Sequence, residues 1–90
     1  MYALRMFITQ IRTRQGLPQQ AVAAALGVTP AAVSAWESER SQRIPSARHF
    51  SKLMDVCGVR KAQDQIKAWR LYAAADADQA GEEAGQQVAA

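Results

Sequence analysis

One cysteine, Cys57, and one histidine, His49, are all the chain holds of the residues that build disulfide frameworks or Cys/His metal clusters. Neither can be assembled within a single copy, and a lone thiol fits a reducing, cytoplasmic compartment. No uninterrupted apolar run approaches the ~20 residues that cross a bilayer. Arg5 breaks the apolar character of an amphipathic N-terminal stretch that no small-residue cleavage site follows, so the chain reads as soluble and unprocessed, with no membrane partner. There is also no glycine-rich phosphate loop and no acid pair near His49 and Cys57. His49 falls on a basic helix and Cys57 on an apolar stripe, which makes them a surface residue and a buried apolar one. No catalytic residue, metal or cofactor is therefore expected.

Acidic residues are scarce where the bases are dense. All eleven Lys and Arg lie between Arg5 and Arg70, against only four of the eight acids, which leaves +7 over residues 1–72; the other four acids are Asp76, Asp78, Glu82 and Glu83. An excess of that size on one small unit suits a polyanion, of which nucleic acid is the commonest. A merely solvated basic surface has the same composition.

Ninety residues make one compact unit. Leu4, Phe7, Ile8 and Ile11 take the i, i+3, i+4, i+7 spacing of an amphipathic helix, predicted over about Ala3 to Gln15. Gly16 ends it and Pro18 opens a second helix that runs to Leu26. Gly27 stops that helix, and Thr29 then caps a third, Pro30 to about Ser38. Glu39 to Ile44 is polar and ends at Pro45, so it is a loop. Ser46 caps a fourth helix with Phe50, Leu53, Met54 and Cys57 on one stripe, closed by Gly58. A fifth, about Lys61 to Ala74, carries Ala62, Ile66, Trp69 and Ala73 on one side. From Ala75 onward only small, Gln-rich and acidic residues remain beside Val88, a tail expected to be disordered. The fold class is all-α, a five-helix bundle divided into residues 1–60, a C-terminal helix 61–74 and a tail 75–90.

Two short helices joined by a tight glycine turn, about Pro18 to Ser38, have the form of a helix-turn-helix, whose second helix enters the DNA major groove. The alanines from Ala21 to Ala25 allow close approach, and Val22, Leu26, Val28 and Val33 supply contacts between the pair. An ordinary packed helical hairpin has the same pattern.

The segments Arg12-Thr-Arg-Gln-Gly-Leu-Pro-Gln19, Leu26-Gly-Val-Thr-Pro30, Val33-Ser-Ala-Trp-Glu37, Pro45-Ser46 and Gly58-Val59 decide between these at the level of sequence. With their joint spacing they resemble the phage repressor and Cro-type helix-turn-helix regulators, a family that includes restriction-modification controllers and many antitoxins. The resemblance covers about residues 3–60. It implies a repressor-like bundle and a sequence-specific DNA-binding transcriptional regulator of a bacterium, phage or mobile element. It also implies that Gln19 binds the DNA backbone, helped by its helix N-terminus, and that Arg12 pairs with Glu37 while lying near a phosphate.

Base reading then falls to the start and outward face of the third helix: Thr29, Pro30, Ala31, Ser34 and Ala35. Pro30 and Ala31 stand where the family often has polar side chains, so apolar contact with thymine methyls and readout of DNA shape are expected. Glu39 replaces a common glycine, implying another turn type in which Arg40 reaches a guanine or a phosphate and Arg43 a phosphate. Ser38, Ser41, Gln42 and Ser46 are further candidate backbone donors.

Trp36 points inward with Val33. By contrast, Ala62, Ile66, Trp69 and Ala73 have little core left to cover, and an uncovered apolar stripe marks a partner surface. The expectation is a homodimer that sets two recognition helices about 34 Å apart on a pseudo-palindromic operator of double-stranded DNA. A fifth helix packed back on the first and fourth is the competing arrangement. The competing function is an antitoxin-type module whose tail, residues 75–90, engages a protein partner.

Overall fold

The computed structural model describes residues 2–89, with side chains through residue 79. Five helices follow one another, α1 (Tyr2–Arg14), α2 (Gln19–Leu26), α3 (Pro30–Glu37), α4 (Ala47–Val56) and α5 (Ala62–Ala89), and the described residues contain no strand. The fold is an all-helical bundle.

Local chemistry sets each boundary. Pro18 precedes α2 in an extended conformation without a side-chain cap. At the other end Gly27 adopts φ +73°, a left-handed geometry that an L side chain enters only at a steric cost. Its amide bonds to the Ala24 carbonyl at 3.3 Å and that of Val28 to Ala23 at 3.0 Å, the paired reverse bonds that satisfy a helix's last carbonyls. Thr29 Oγ1 then accepts the Ala32 amide at 3.2 Å, with Pro30 in the first turn of α3. Ser46 Oγ caps α4 by accepting the His49 amide at 3.2 Å.

The core forms where the apolar stripes meet. Leu4, Ile8 and Ile11 of α1, Val22 and Leu26 of α2, Val33 and Trp36 of α3, Phe50, Leu53 and Met54 of α4, and Cys57 just after it are all buried. Phe50 is the hub, with ring centroids 4.9 Å from Tyr72, 5.1 Å from Trp69 and 6.4 Å from Phe7.

Three expectations change on α5 and α4. First, α5 faces the core through Ala68, Leu71, Tyr72 and Ala75, with Ala68 and Ala75 buried, so it does pack back on α1. Trp69 is consequently half-buried against Phe50 and Tyr72 rather than wholly outward. Ala62, Ile66 and Ala73 remain exposed. Second, α5 does not stop near Ala74. Alanine is the best helix former, the helix continues, and Ala75 is buried within it. Of the tail expected to be disordered, residues 75–90, the side chains of residues 80–90 lie outside the described residues. Third, His49 is half-buried rather than a surface residue, because its ring lies 6.1 Å from that of Trp36 and its Nδ1 3.2 Å from Ser46 Oγ.

Candidate nucleic-acid interface

A helix of eight residues has its last four carbonyls, half of its total, without intrahelical partners, and α3 is of that length. Its C-terminal end is completed by side chains of α1. Arg12 grips Glu37 with two hydrogen bonds, Nε to Oε2 at 2.7 Å and Nη2 to Oε1 at 2.8 Å, while Nη1 donates to the Leu17 carbonyl at 2.8 Å. Thr9 Oγ1 donates to Glu37 Oε1 at 3.0 Å. The side chains of Arg12 and Glu37 are 14% and 8% exposed.

Burial alone raises the Glu37 pKa, but hydrogen bonds from Arg12 and Thr9, the Arg12 charge and a hydrogen bond from Gln19 together bring it below the ordinary carboxylate value. Arg12 moves in the complementary direction, chiefly through its hydrogen bonds to Glu37. Three of its five N–H donors are committed inside the protein, which leaves less for a phosphate than the sequence implied. Gln19, the first residue of α2, is half-buried and drawn into the same cluster.

What α3 turns outward is small. Pro30, Ala31 and Ser34 are exposed, Ala35 is half-buried, and Thr29 is exposed although its oxygen serves as the cap. Val33 and Trp36 point into the core. The helix is thereby held by α1 and α2 on its inner side, with one free face and a glycine turn before it. A family model of a helix-turn-helix domain matches residues 8–63. The chain belongs to this helix-turn-helix family. The membership makes it a DNA-binding transcription regulator in general terms, from a family that is typically non-enzymatic. Neither the curated proteins nor the solved structures yield a match to the chain.

Within this helix-turn-helix, the loop after α3 is more ordered than its polar composition implied. Arg40 and Arg43 are exposed, but their backbone amides are tied down: the first donates to Ser38 Oγ at 3.2 Å, the second to Ser41 Oγ at 3.1 Å. The hydroxyl oxygens of Ser38 and Ser41 thus build the loop, and Ser46 builds the α4 cap. Gln42 is exposed.

Two residues that organise the site escaped the sequence reading. Arg5, read there only as a charge that breaks the apolar N-terminal stretch, is 3% exposed and donates through Nη1 to the carbonyls of Ala35 at 2.7 Å and Trp36 at 3.0 Å, and through Nη2 to that of Ser41. Tyr72 donates its hydroxyl to the Pro45 carbonyl at 2.8 Å. A signal for Arg5 exists in the spacing. Arg5, Thr9 and Arg12 stand at i, i+4 and i+7 and therefore share one edge of the helix.

Among the described residues no group of His, Cys, Asp or Glu is arranged to hold a metal, and no helix is long and apolar enough to cross a membrane. His49 stands beside Trp36 and Ser46, whereas Cys57 is fully buried, where desolvation raises its thiol pKa.

Proposed function

We propose that the protein is a sequence-specific transcriptional repressor that binds a pseudo-palindromic operator as a homodimer in the bacterial cytoplasm or nucleoid, encoded by a bacterium, phage or mobile element. The observation that carries this reading is the small, exposed face of α3, Pro30, Ala31 and Ser34, on a helix whose opposite side is locked by Val33, Trp36 and the Arg12–Glu37 pair. A rigid helix with a narrow outer face fits the major groove. Thr29, Ser34 and Ala35 join Pro30 and Ala31 as base-reading residues, with Arg40 reaching a guanine on the operator and a phosphate on other sequences; Gln19, Arg12, Ser38, Ser41, Arg43 and Ser46 contact the backbone. The scarcity of bidentate side chains on the outer face favours methyl contacts and DNA shape over direct hydrogen-bond readout.

Dimerisation is supported by α5. Ile66 is 54% exposed, and with Ala62, Trp69 and Ala73 it lines a shallow depression of about 460 Å³ edged by Gln65 and Arg70. Pairing two such faces by two-fold symmetry presents two α3 helices to successive major grooves. A dimer occupying a promoter represses by blocking it.

Footprinting on the DNA upstream of the protein's own coding sequence tests the reading. Two protected half-sites with two-fold symmetry, one helical turn apart, are expected. Protection of a single half-site would remove the dimer, and uniform protection independent of sequence would remove the operator.

A further inference from the structure

Among the described residues, the most deeply buried charged residue, Arg5, is held against backbone rather than at the surface. Arg5 reaches from α1 to the last turn of α3, where its Nη1 bonds the Ala35 and Trp36 carbonyls, and onward to the loop, where its Nη2 bonds the Ser41 carbonyl. We propose that Arg5 is a positioning residue: it fixes the loop over residues 38–45 against the C-terminal end of α3, so that Arg40 and Arg43 meet the DNA backbone as preset charges. This rests on the DNA-binding reading above.

Chemistry and geometry both favour an arginine here. The end of α3 carries carbonyls without partners inside the helix, of which that of Ala35 accepts the Ser38 amide at 3.3 Å, and the negative end of its dipole, both of which a cation satisfies. Only a guanidinium has donors spread over a rigid fork wide enough to bridge two helix carbonyls and a third on the neighbouring loop. The Ser41 carbonyl is a sensitive point to hold. The same residue accepts the Arg43 amide on its hydroxyl and donates its own amide to the Ser38 carbonyl at 3.3 Å, and Ser38 in turn accepts the Arg40 amide. One side chain of α1 thus fixes the backbone from which both exposed arginines project.

The far end of the loop has its own anchor. Tyr72 holds the Pro45 carbonyl, and its ring is stacked on Phe50 and set edge-on to Trp69, 5.5 Å away. The loop is therefore ordered on folding, and its entropy cost does not fall on DNA binding. Tyr72 also links the loop to the α5 face assigned to the second copy.

The test is the salt dependence of binding to a mixed-sequence duplex of about three helical turns. It compares the wild type, Arg5→Met, Arg40→Ala/Arg43→Ala, and the triple variant. Each phosphate contact contributes about 0.9 to the slope of log K against log salt, so removing both loop arginines lowers it by about 1.8. Arg5→Met is expected to lower the slope by a similar amount and to add nothing in the double-variant background, with Arg5→Lys in between. A lowered Tm with an unchanged slope, or losses that simply add, overturns the proposal and leaves Arg5 as fold support only. An unchanged slope in Arg40→Ala/Arg43→Ala overturns it too, while a steep wild-type slope keeps the DNA reading. A flat wild-type slope is the failure of that reading itself.

Tryptic cleavage after Arg40 and Arg43, followed by fragment mass without DNA, tests the anchoring alone. Arg5→Met and Tyr72→Phe are expected to be cut about tenfold faster or more. Arg5→Lys, which keeps the charge and loses the fork, decides the matter if Arg5→Met does not fold, while Tyr72→Phe reads the second anchor separately. Unchanged cleavage overturns the proposal.

Discussion

Replacing Glu37 by glutamine keeps the shape of the side chain and removes its charge, leaving Arg12 enclosed beside a neutral amide. The guanidinium retains its bond to the Leu17 carbonyl, but one of its two short bonds to the carboxylate is lost, because an amide nitrogen accepts none, the other loses its ionic character, and Thr9 Oγ1 loses a charged acceptor. Breaking a fully buried pair costs roughly 3–5 kcal/mol. Here the side chains keep 14% and 8% exposure, and glutamine still accepts one bond, so the loss is set lower, at about 2 kcal/mol. For a domain of this size that lowers Tm by about 8–16 °C, readable in a circular dichroism melt at neutral pH.

The same pair makes a pH prediction whose sign is determined. Glu37 has a folded pKa below the ordinary carboxylate value. Its contribution is present above the unfolded pKa and is lost as pH falls through the lower, folded one. Wild-type stability should therefore decline with acidification below about the ordinary carboxylate pKa, and the gap to Glu37→Gln should close there. A variant melting within about 2 °C of wild type at neutral pH, or a gap that persists in strong acid, refutes the reasoning. Arg12→Met in the Glu37→Gln background should cost far less than the two single losses added together.

Gly27→Ala meets no atom within 4 Å of the new Cβ, so its cost is conformational alone, from φ +73°; about 1–2 kcal/mol is expected, and a neutral effect in a denaturant titration would contradict it. Phe50→Ala empties the centre of the aromatic cluster and should cost about 3–5 kcal/mol; a melt within a few degrees of wild type would mean that the cluster does not hold α5. Ile66→Glu should shift sedimentation from dimer to monomer while leaving the melt of the dilute protein nearly unchanged, whereas an unaltered dimer would place the interface elsewhere.

The starts of α3 and α4 and the stop of α2 were legible because local chemistry sets them, whereas the end of α5 was not. Thr29 and Ser46 accept cap bonds three residues on, and Gly27 turns the chain with φ > 0. Two of the apolar stripes, Leu4 to Ile11 and Phe50 to Cys57, also lie largely in the core. On α5, by contrast, two stripes overlap: Ala62, Ile66, Trp69 and Ala73, and Ala68, Leu71, Tyr72 and Ala75. Periodicity cannot rank them; the position of Phe50 on α4 does, by stacking Tyr72 and drawing Trp69 partly inward.

Arg5 was misjudged for a similar reason. Its partners at Ala35, Trp36 and Ser41 lie 30 to 36 residues away and are backbone carbonyls, which carry no residue-specific signal. Ala75 was misjudged because a small residue offers little hydrophobic pattern, yet it fits where α5 approaches the core closely.

The most direct measurement is the affinity of the purified protein for its own upstream DNA and for a scrambled duplex, at one near-physiological salt concentration, with Ser34→Ala/Arg40→Ala alongside. A preference of about a thousandfold or more, reduced in the variant, is the expected result. Equal, weak binding to both duplexes would contradict sequence reading by α3 and its loop.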